Sequence, residues 1–506
     1  MIRRETNLSE QITITVQTKK PEKEMYLLHT VGRTVLDTLR ESEIELPPLC
    51  SGMGTCGRCM VRFIGYAPFP TQTERGRIEP DKLREGYRLS CMAKPVKDCV
   101  IQPFFKSEEK IKVLTESTVG NIEVAGREAA GEYYEGLEAG STVIAVDIGT
   151  TTIAMRLLEA VSGRVCDTYT CLNPQRSYGT DVVERIRAGS GGKALRLQEL
   201  VREAINKGMG QFFQSAGDEK LCKPEWMVIA CNTTMGHLFM GYSTDTLGRS
   251  PFTPVSIAFT PFDFEGVHGA LLPGISAFVG GDIVAGIYAC NLHKMQETWI
   301  FLDLGTNAEM AIGSGGRILC TAAAAGPAFE GEGEGNTTGP ERIGAISRLL
   351  KEGLIDETGL LQEPYFESGI EVNGIFVTQK DIRDIQMAKA AVRAGVHFLE
   401  ERFSVSMPDY GPIEKVYLAG GFGFYLDKEA AVRVGLIPPE LKDKIEVAGN
   451  TSLAGAEKAA RKMVRDIKEA AELDDIVENC EVFNLAAQEN FDKIYIKYMN
   501  FVDLYR

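Results

Sequence analysis

Three cysteines form a C-x5-C-x2-C run, Cys50, Cys56 and Cys59, inside the glycine-laced stretch Leu-Cys-Ser-Gly-Met-Gly-Thr-Cys-Gly-Arg-Cys, and Cys91 follows. Thiolates are the ligands of iron–sulfur clusters, and four of them complete a [2Fe–2S] cluster with two cysteine sulfurs on each iron. Glycines let the backbone fold tightly around such a group and aim N–H groups at its sulfides. The pattern therefore predicts a one-electron carrier. Zinc sites combine two short Cys/His pairs, whereas the fourth cysteine here stands alone with no histidine beside it. A disulfide framework needs an oxidising compartment, to which nothing in the sequence points.

A second set of residues suggests nucleotide chemistry. Val143-Ile-Ala-Val-Asp-Ile-Gly-Thr-Thr-Thr-Ile-Ala-Met recurs in kind as Trp299-Ile-Phe-Leu-Asp-Leu-Gly-Thr-Asn-Ala-Glu-Met-Ala-Ile. Each copy is an apolar strand, a D-x-G-T turn and a second apolar strand, so the fold is expected to be duplicated around a cleft. Gly149 and Gly305 permit the sharp turn and expose N–H groups to a phosphate. Thr150, Thr151 and Thr152 add hydroxyl donors to the first turn, and Thr306 and Asn307 add side-chain donors to the second. Asp147 and Asp303, at the strand ends, can hold Mg2+ through its waters. Glu309 is a candidate general base, against the plainer reading of a solvated strand residue. Asp282, in Gly280-Gly-Asp-Ile-Val-Ala-Gly, could position magnesium or water, with a helix N-cap as its plain alternative. A third motif, Val416-Tyr-Leu-Ala-Gly-Gly-Phe-Gly, ends a strand in Gly420, Gly421 and Gly423, where a purine can lie against backbone with no Cβ in the way. There is no G-x4-G-K-[ST] P-loop, and Gly189-Ser-Gly-Gly-Lys-Ala does not fit one.

These residues need elements to position them. Gln11-Ile-Thr-Ile-Thr-Val-Gln alternates like a strand, Thr34-Val-Leu-Asp-Thr-Leu-Arg has helical spacing, and Met60-Val-Arg-Phe-Ile reads as a strand leaving the cysteine loop. That order describes a β-grasp domain over residues 1–105. A charged, glycine-containing linker is expected over 106–140, and strands alternating with helices over 141–506, an α/β pattern. Gly331-Glu-Gly-Glu-Gly is too acidic to cradle phosphate and reads as a surface loop. His237, a lone histidine in an apolar stretch, reads as a satisfied core residue, with a metal ligand as the sharper alternative.

The chain has 506 residues, 44% hydrophobic and 25% charged, with a formal net charge of −15. That is a globular composition with ample core, and its acidity argues against nucleic acid and anionic membranes as partners. No apolar run is long enough to span a bilayer, and the N-terminus has no signal core, so a cytoplasmic protein is expected. Of the 12 cysteines, the eight outside the predicted cluster are expected to be mostly small buried apolar residues.

The cysteine spacing resembles plant-type and adrenodoxin-type ferredoxins. Cys99 competes as fourth ligand, but Tyr-Arg-Leu-Ser-Cys-Met-Ala around Cys91 reads as a loop entering a strand, the setting of that ligand in those families. The order phosphate, phosphate, adenosine resembles the actin/Hsp70/sugar-kinase superfamily (ASKHA), with its two RNase H-like halves. A ferredoxin domain fused to such an ATPase is similar to the reductive activators of corrinoid enzymes. The resemblance extends through Asn173-Pro-Gln, Tyr178-Gly-Thr-Asp-Val-Val-Glu-Arg-Ile, Ala325-Gly-Pro-Ala-Phe-Glu-Gly, Thr378-Gln-Lys-Asp-Ile-Arg and Gly449-Asn-Thr-Ser-Leu-Ala-Gly-Ala. It implies ATP-dependent one-electron reduction of inactive cob(II) to cob(I) on a corrinoid protein, with a [2Fe–2S] cluster, ATP and Mg2+ as cofactors. A protein electron donor is expected, with a homodimer as the default assembly. Two rival readings are an activator of 2-hydroxyacyl-CoA dehydratases and a non-redox actin-like binding protein. The segment Thr233 to Pro254, rich in Met, Phe and Pro, is the candidate acceptor surface.

Overall fold

The computed structural model describes residues 11–19, 22–42, 44, 50, 52–54, 56–104, 113–118, 140–218, 221–326, 328–329 and 337–501. Most of the expected linker, and the acidic glycine loop at 331–335, lie outside them. The chain divides into two compact units, residues 1–111 with 174–201, and residues 112–173 with 202–506.

In the first unit, β1 (Gln11–Lys19) and β2 (Glu22–Thr30) form a hairpin, and β3 (Met60–Ile64), β4 (Tyr87–Leu89) and β5 (Cys99–Pro103) complete a sheet in the order β2-β1-β5-β3-β4. β1 and β5 are parallel, and the remaining pairings are antiparallel. This is the expected β-grasp. Alternation places Ile14 and Val16 inward against Val35, Leu39, Phe63 and Ile101. The helix Val35–Arg40 opens with a reciprocal cap between Thr34 and Asp37, which satisfies its first free N–H groups.

The second unit holds two six-stranded sheets that share a five-strand arrangement and differ in where the sixth strand is added. In one, β6 (Thr142–Ile148), β7 (Thr152–Glu159) and β8 (Val165–Leu172) form an antiparallel meander. It is extended beyond β6 by β9 (Pro224–Cys231), β11 (Val267–Leu271) and β10 (Thr260–Phe264). In the other, β12 (Thr298–Leu304), β13 (Asn307–Ser314) and β14 (Arg317–Ala324) repeat the meander. β17 (Ile413–Ala419) and β18 (Ile445–Gly449) extend it in parallel, and β19 (Cys480–Val482) pairs with β14. The short hairpin of β15 (Ile370–Val372) and β16 (Ile375–Val377) stands apart.

The paired sheets explain the apolar runs. Along β12, Ile300, Leu302 and Leu304 enter one core while Trp299 and Phe301 enter another, so both faces are covered. The helices Gly281–Ala289 and Thr451–Met463 cross closely: a Cβ on Gly455 would sit 2.2 Å from the Ala285 carbonyl oxygen, and one on Gly286 2.6 Å from Phe301. Within the expected linker, residues 113–118 lie against β18. Ser117 bridges Gly449, and the Asn450 N–H donates to the Glu116 carbonyl at 2.9 Å.

Candidate functional site

The cysteine loop owes its shape to Gly52, Gly54 and Gly57, whose φ values are +87°, +72° and +71°, a region that L side chains rarely adopt. Cys50, Cys59 and Cys91 are buried and Cys56 is exposed, and none is in a disulfide. The four thiols fall into two pairs. Cys59 and Cys91 have their sulfurs 3.3 Å apart, and Cys56 is hydrogen-bonded to Cys50. The hydrogen bond with Cys91 lowers the Cys59 thiol to about 7. Among the described residues no three Cys, His, Asp or Glu side chains converge tightly enough for a single metal ion. A two-and-two division is what a two-iron cluster asks for, so the donor set fits that group and not mononuclear zinc. Cys99 faces the separate core of Ile14 and Val16, while Cys91 shares an apolar cluster with Cys59, Leu36 and Leu89.

Cys91 does not open a strand, as the sequence reading had it; it follows β4. Pairing of β4 with β3 ends at Leu89 opposite Met60. The Met92 and Ala93 N–H groups then fold back on the Leu89 carbonyl, both at 2.9 Å, and that turn carries Cys91 to Cys59.

In the second unit the two D-x-G-T turns each close on their own backbone, the first over four residues and the second over three. The Gly149 N–H donates to the Thr152 carbonyl at 2.9 Å, and the Gly305 N–H to the Asn307 carbonyl at 2.8 Å. Each is also braced from the chain just beyond its meander: the Asn173 N–H donates to the Thr151 carbonyl and the Gly326 N–H to the Thr306 carbonyl, both at 2.9 Å. Asn173 adds a side-chain bond to the Gly149 carbonyl at 2.8 Å, and Asn232 Nδ2 donates to Thr150 Oγ1 at 3.1 Å.

Four carboxylates gather at these turns. Asp147 accepts from Asn450 Nδ2 at 2.9 Å and Ser452 Oγ at 2.8 Å. No donor to Asp303 is found among the described residues, and Asp303 lies cross-strand from Glu309. Burial, then repulsion from Asp147, pushes Asp303 up to about 7. Burial, then Asp303, does the same to Asp282. Glu309 is raised well above its ordinary value by burial, then by Asp282 and Asp303. Glu309 is partly buried on β13, among these acids. Asp282 is not an N-cap: Gly280 holds that position, and Asp282 Oδ1 accepts from the Ile283 N–H at 2.9 Å. Clustered carboxylates with no cation among them are a fit for a divalent metal.

The third motif meets the second turn. Gly420 has φ +76°, and a Cβ there would lie 2.6 Å from Asp303 Oδ1. Gly421 faces Leu114 of the expected linker, whereas Gly423 packs on Leu418 within the fold. Sequence reasoning missed Asn173, Asn232, Asn450 and Ser452. Asn232 and Asn450 each follow a strand and cap the helix behind it, a signal visible in sequence, but their reach across the site is not.

The RACo middle region matches residues 142–295, and the C-terminal RACo domain, described as the ASKHA domain, matches 297–349 and 335–504. Together they cover well over half of the chain. The chain belongs to the RACo family. A 2Fe–2S iron–sulfur cluster binding domain matches residues 21–96, so this RACo chain carries its cysteines in a ferredoxin-like domain ahead of the ASKHA domain. Among curated proteins it is 28% identical over 383 residues to the corrinoid activation enzyme RamQ of Eubacterium limosum, covering 62% of this chain and 63% of RamQ. It is 29% identical over 282 residues to the [Co(II) methylated amine-specific corrinoid protein] reductase of Methanosarcina barkeri, covering 44% of this chain and 50% of that one. The matched stretches thus span about half to three-fifths of these relatives. A solved reductive activator for a corrinoid, iron–sulfur protein shares the fold, with TM-score 0.62 and 23% identity over 96% of this chain and 98% of that one.

His237 is a core residue of this RACo chain. Its Nδ1 lies 2.8 Å from the Thr233 carbonyl and its Nε2 accepts from the Val255 N–H at 2.9 Å, which leaves no nitrogen for a metal. The helix Thr233–Met240 is buried along most of its length, so that part of the candidate acceptor segment is packing rather than surface. Cys320 and Cys480 are neighbours across β14 and β19, with sulfurs 3.1 Å apart. Among the described residues no helix is long and apolar enough to cross a membrane.

Proposed function

We propose that this protein is an ATP-dependent reductive activator that returns a corrinoid protein from cob(II) to cob(I) by one electron. The observation that carries the reading is the pairing of the four thiols in a chain that also holds two facing phosphate turns. The names of the curated relatives support the corrinoid protein as acceptor. Cys50, Cys56, Cys59 and Cys91 would hold a [2Fe–2S] cluster, which would supply the electron.

The chain's own residues do the rest. Asp147, Asp282 and Asp303 would hold Mg2+, and the turns at Gly149 and Gly305 would present N–H groups and hydroxyls to the phosphates. Glu309 stands behind Asp303, placed to take a proton from water. Gly420 and Gly421 leave room for the adenosine. Nucleotide drives the reduction only through unequal affinity of the two nucleotide states for the corrinoid protein. The same reading takes residues 1–105 as the redox domain, 106–140 as a connector and 141–506 as the nucleotide-binding domain. It places the protein in the cytoplasm, supplied by a protein electron donor.

The test is anaerobic. The reduced, iron-reconstituted protein is mixed with a cob(II) corrinoid protein, and the visible spectrum is followed for cob(I). Appearance only with MgATP, and not in Cys56→Ala, is expected. Equal reduction with and without nucleotide would overturn the reading.

A further inference from the structure

The segment Pro174–Val201 clusters with the cysteine-bearing residues 1–111 as one unit, and the contact between them centres on Arg40. Its Nε and Nη2 donate to the Ser177 carbonyl oxygen at 2.9 and 2.6 Å, and its guanidinium lies 4.3 Å from the centroid of the Tyr178 ring. The side chain is only 7% exposed, and Asp37, at 3.9 Å, is its nearest carboxylate.

The helix that carries Arg40 also touches the cluster ligands. Leu36 packs with Cys59, Cys91 and Leu89, and the Leu36 and Val35 N–H groups donate to the Ser90 and Ala93 carbonyls, both at 2.9 Å. Arg40 lies one turn on from Leu36, on the same face. Cys91 and Cys59 are close enough for their charge to be felt at the Arg40 guanidinium, and that of Cys50 at Glu184 from the Pro174–Val201 segment. A tie that only joined two segments would not need a desolvated cation, which is costly to bury. A cation fixed beside a group that gains negative charge on reduction favours the reduced form, because net charge and hydrogen bonding set such potentials.

We propose that Arg40 is a positioning residue for electron transfer. It sets the reduction potential of the group held by Cys59 and Cys91, and Ser177 and Tyr178 hold it in place, so the potential follows the Pro174–Val201 segment. One electron is gained and no bond is made or broken. The segment begins at the residue after Asn173, which braces the first phosphate turn, so the chain itself runs from the nucleotide site to the anchor of Arg40. The inference rests on the [2Fe–2S] reading of the four cysteines.

The experiment is an anaerobic redox titration of the full-length reconstituted protein, followed by visible absorbance and electron paramagnetic resonance. Arg40→Gln is expected to keep its iron and sulfide and to lower the midpoint, cutting the reduced-to-oxidised ratio at fixed potential about tenfold, roughly 59 mV for one electron. Arg40→Lys, which keeps the charge but loses the fork, should fall between Arg40→Gln and wild type. Tyr178→Leu should shift the same way by less. An unchanged midpoint in a fully loaded Arg40→Gln overturns the proposal. If that variant fails to load, unchanged midpoints in Arg40→Lys and Tyr178→Leu overturn it. A wild-type protein that assembles no [2Fe–2S] cluster overturns the cluster reading itself, and this inference with it.

Discussion

The two D-x-G-T hairpins share strand order and a backbone brace from the chain that follows each meander, yet their aspartates have different surroundings. Asp147 has both oxygens engaged, by Asn450 and Ser452 from the other half of the fold. Asp303 faces Glu309, Asp282 and the bare backbone of Gly420, with no donor among the described residues. A carboxylate that accepts a hydrogen bond on each oxygen is fixed in position. One without such donors, pressed by other acids, is ready for a cation or a proton. Duplication thus supplied two related turns, and the side chains around them set their aspartates apart.

The largest effect should come from Asp303→Asn, which is expected to cut ATP turnover by about two to three orders of magnitude, the usual loss when a key electrostatic group is removed. Asp147→Asn should cost less; equal losses in steady-state kcat would break the comparison. Glu309→Gln is expected to lower kcat about 100-fold, within the range of general acid–base catalysis, while leaving KM for ATP nearly unchanged. A rise in KM with kcat intact would make Glu309 a binding residue instead.

The third prediction concerns pH. Asp282 and Asp303 titrate near 7 in the folded protein, above the ordinary aspartate value of 3.8. Between those values the folded state holds protons that the unfolded state has released, so stability contributed by this site falls as pH rises from about 4 to 7. Without divalent cation, Asp282→Asn should therefore raise Tm at pH 8 by several degrees and leave it nearly unchanged at pH 4, read by calorimetry. Added Mg2+ should narrow the gap at pH 8. The smallest effect is expected from Ser452→Ala, about 1 kcal/mol from one lost hydrogen bond, measured by urea unfolding. Asn450→Ala should cost somewhat more, because the same side chain caps the helix Thr451–Met463.

Much of this was legible because its signals are local. Cys50, Cys56 and Cys59 lie within one loop, and each D-x-G-T turn is a few residues bounded by apolar strands. Cys91 was legible as a ligand but not in its setting, since a three-residue strand gives little periodicity to read. Asn450 lies 303 residues from Asp147 in sequence, and its local signature is only that of a helix cap. The burial of Glu309 followed from the sheet around it, which strand alternation alone does not reveal. The grouping of Pro174–Val201 with the cysteine domain depends on Arg40 meeting Ser177 137 residues away, and nothing in either stretch announces the other.

The crossing of the helices Gly281–Ala289 and Thr451–Met463 has a mechanical meaning. Gly455 is set directly against the Ala285 backbone, and Gly286 against the Phe301 ring and the Thr451 hydroxyl, so neither glycine leaves room for a side chain. Such a contact resists sliding, because any translation drives Cα atoms into a carbonyl or a ring, but it tolerates small rotations about the point of contact. The two halves of the nucleotide-binding fold therefore share a pivot. A lever turned about it moves the phosphate turns by an amount set by their distance from those two glycines, and bulkier residues there would jam the bearing long before they disturbed the turns themselves.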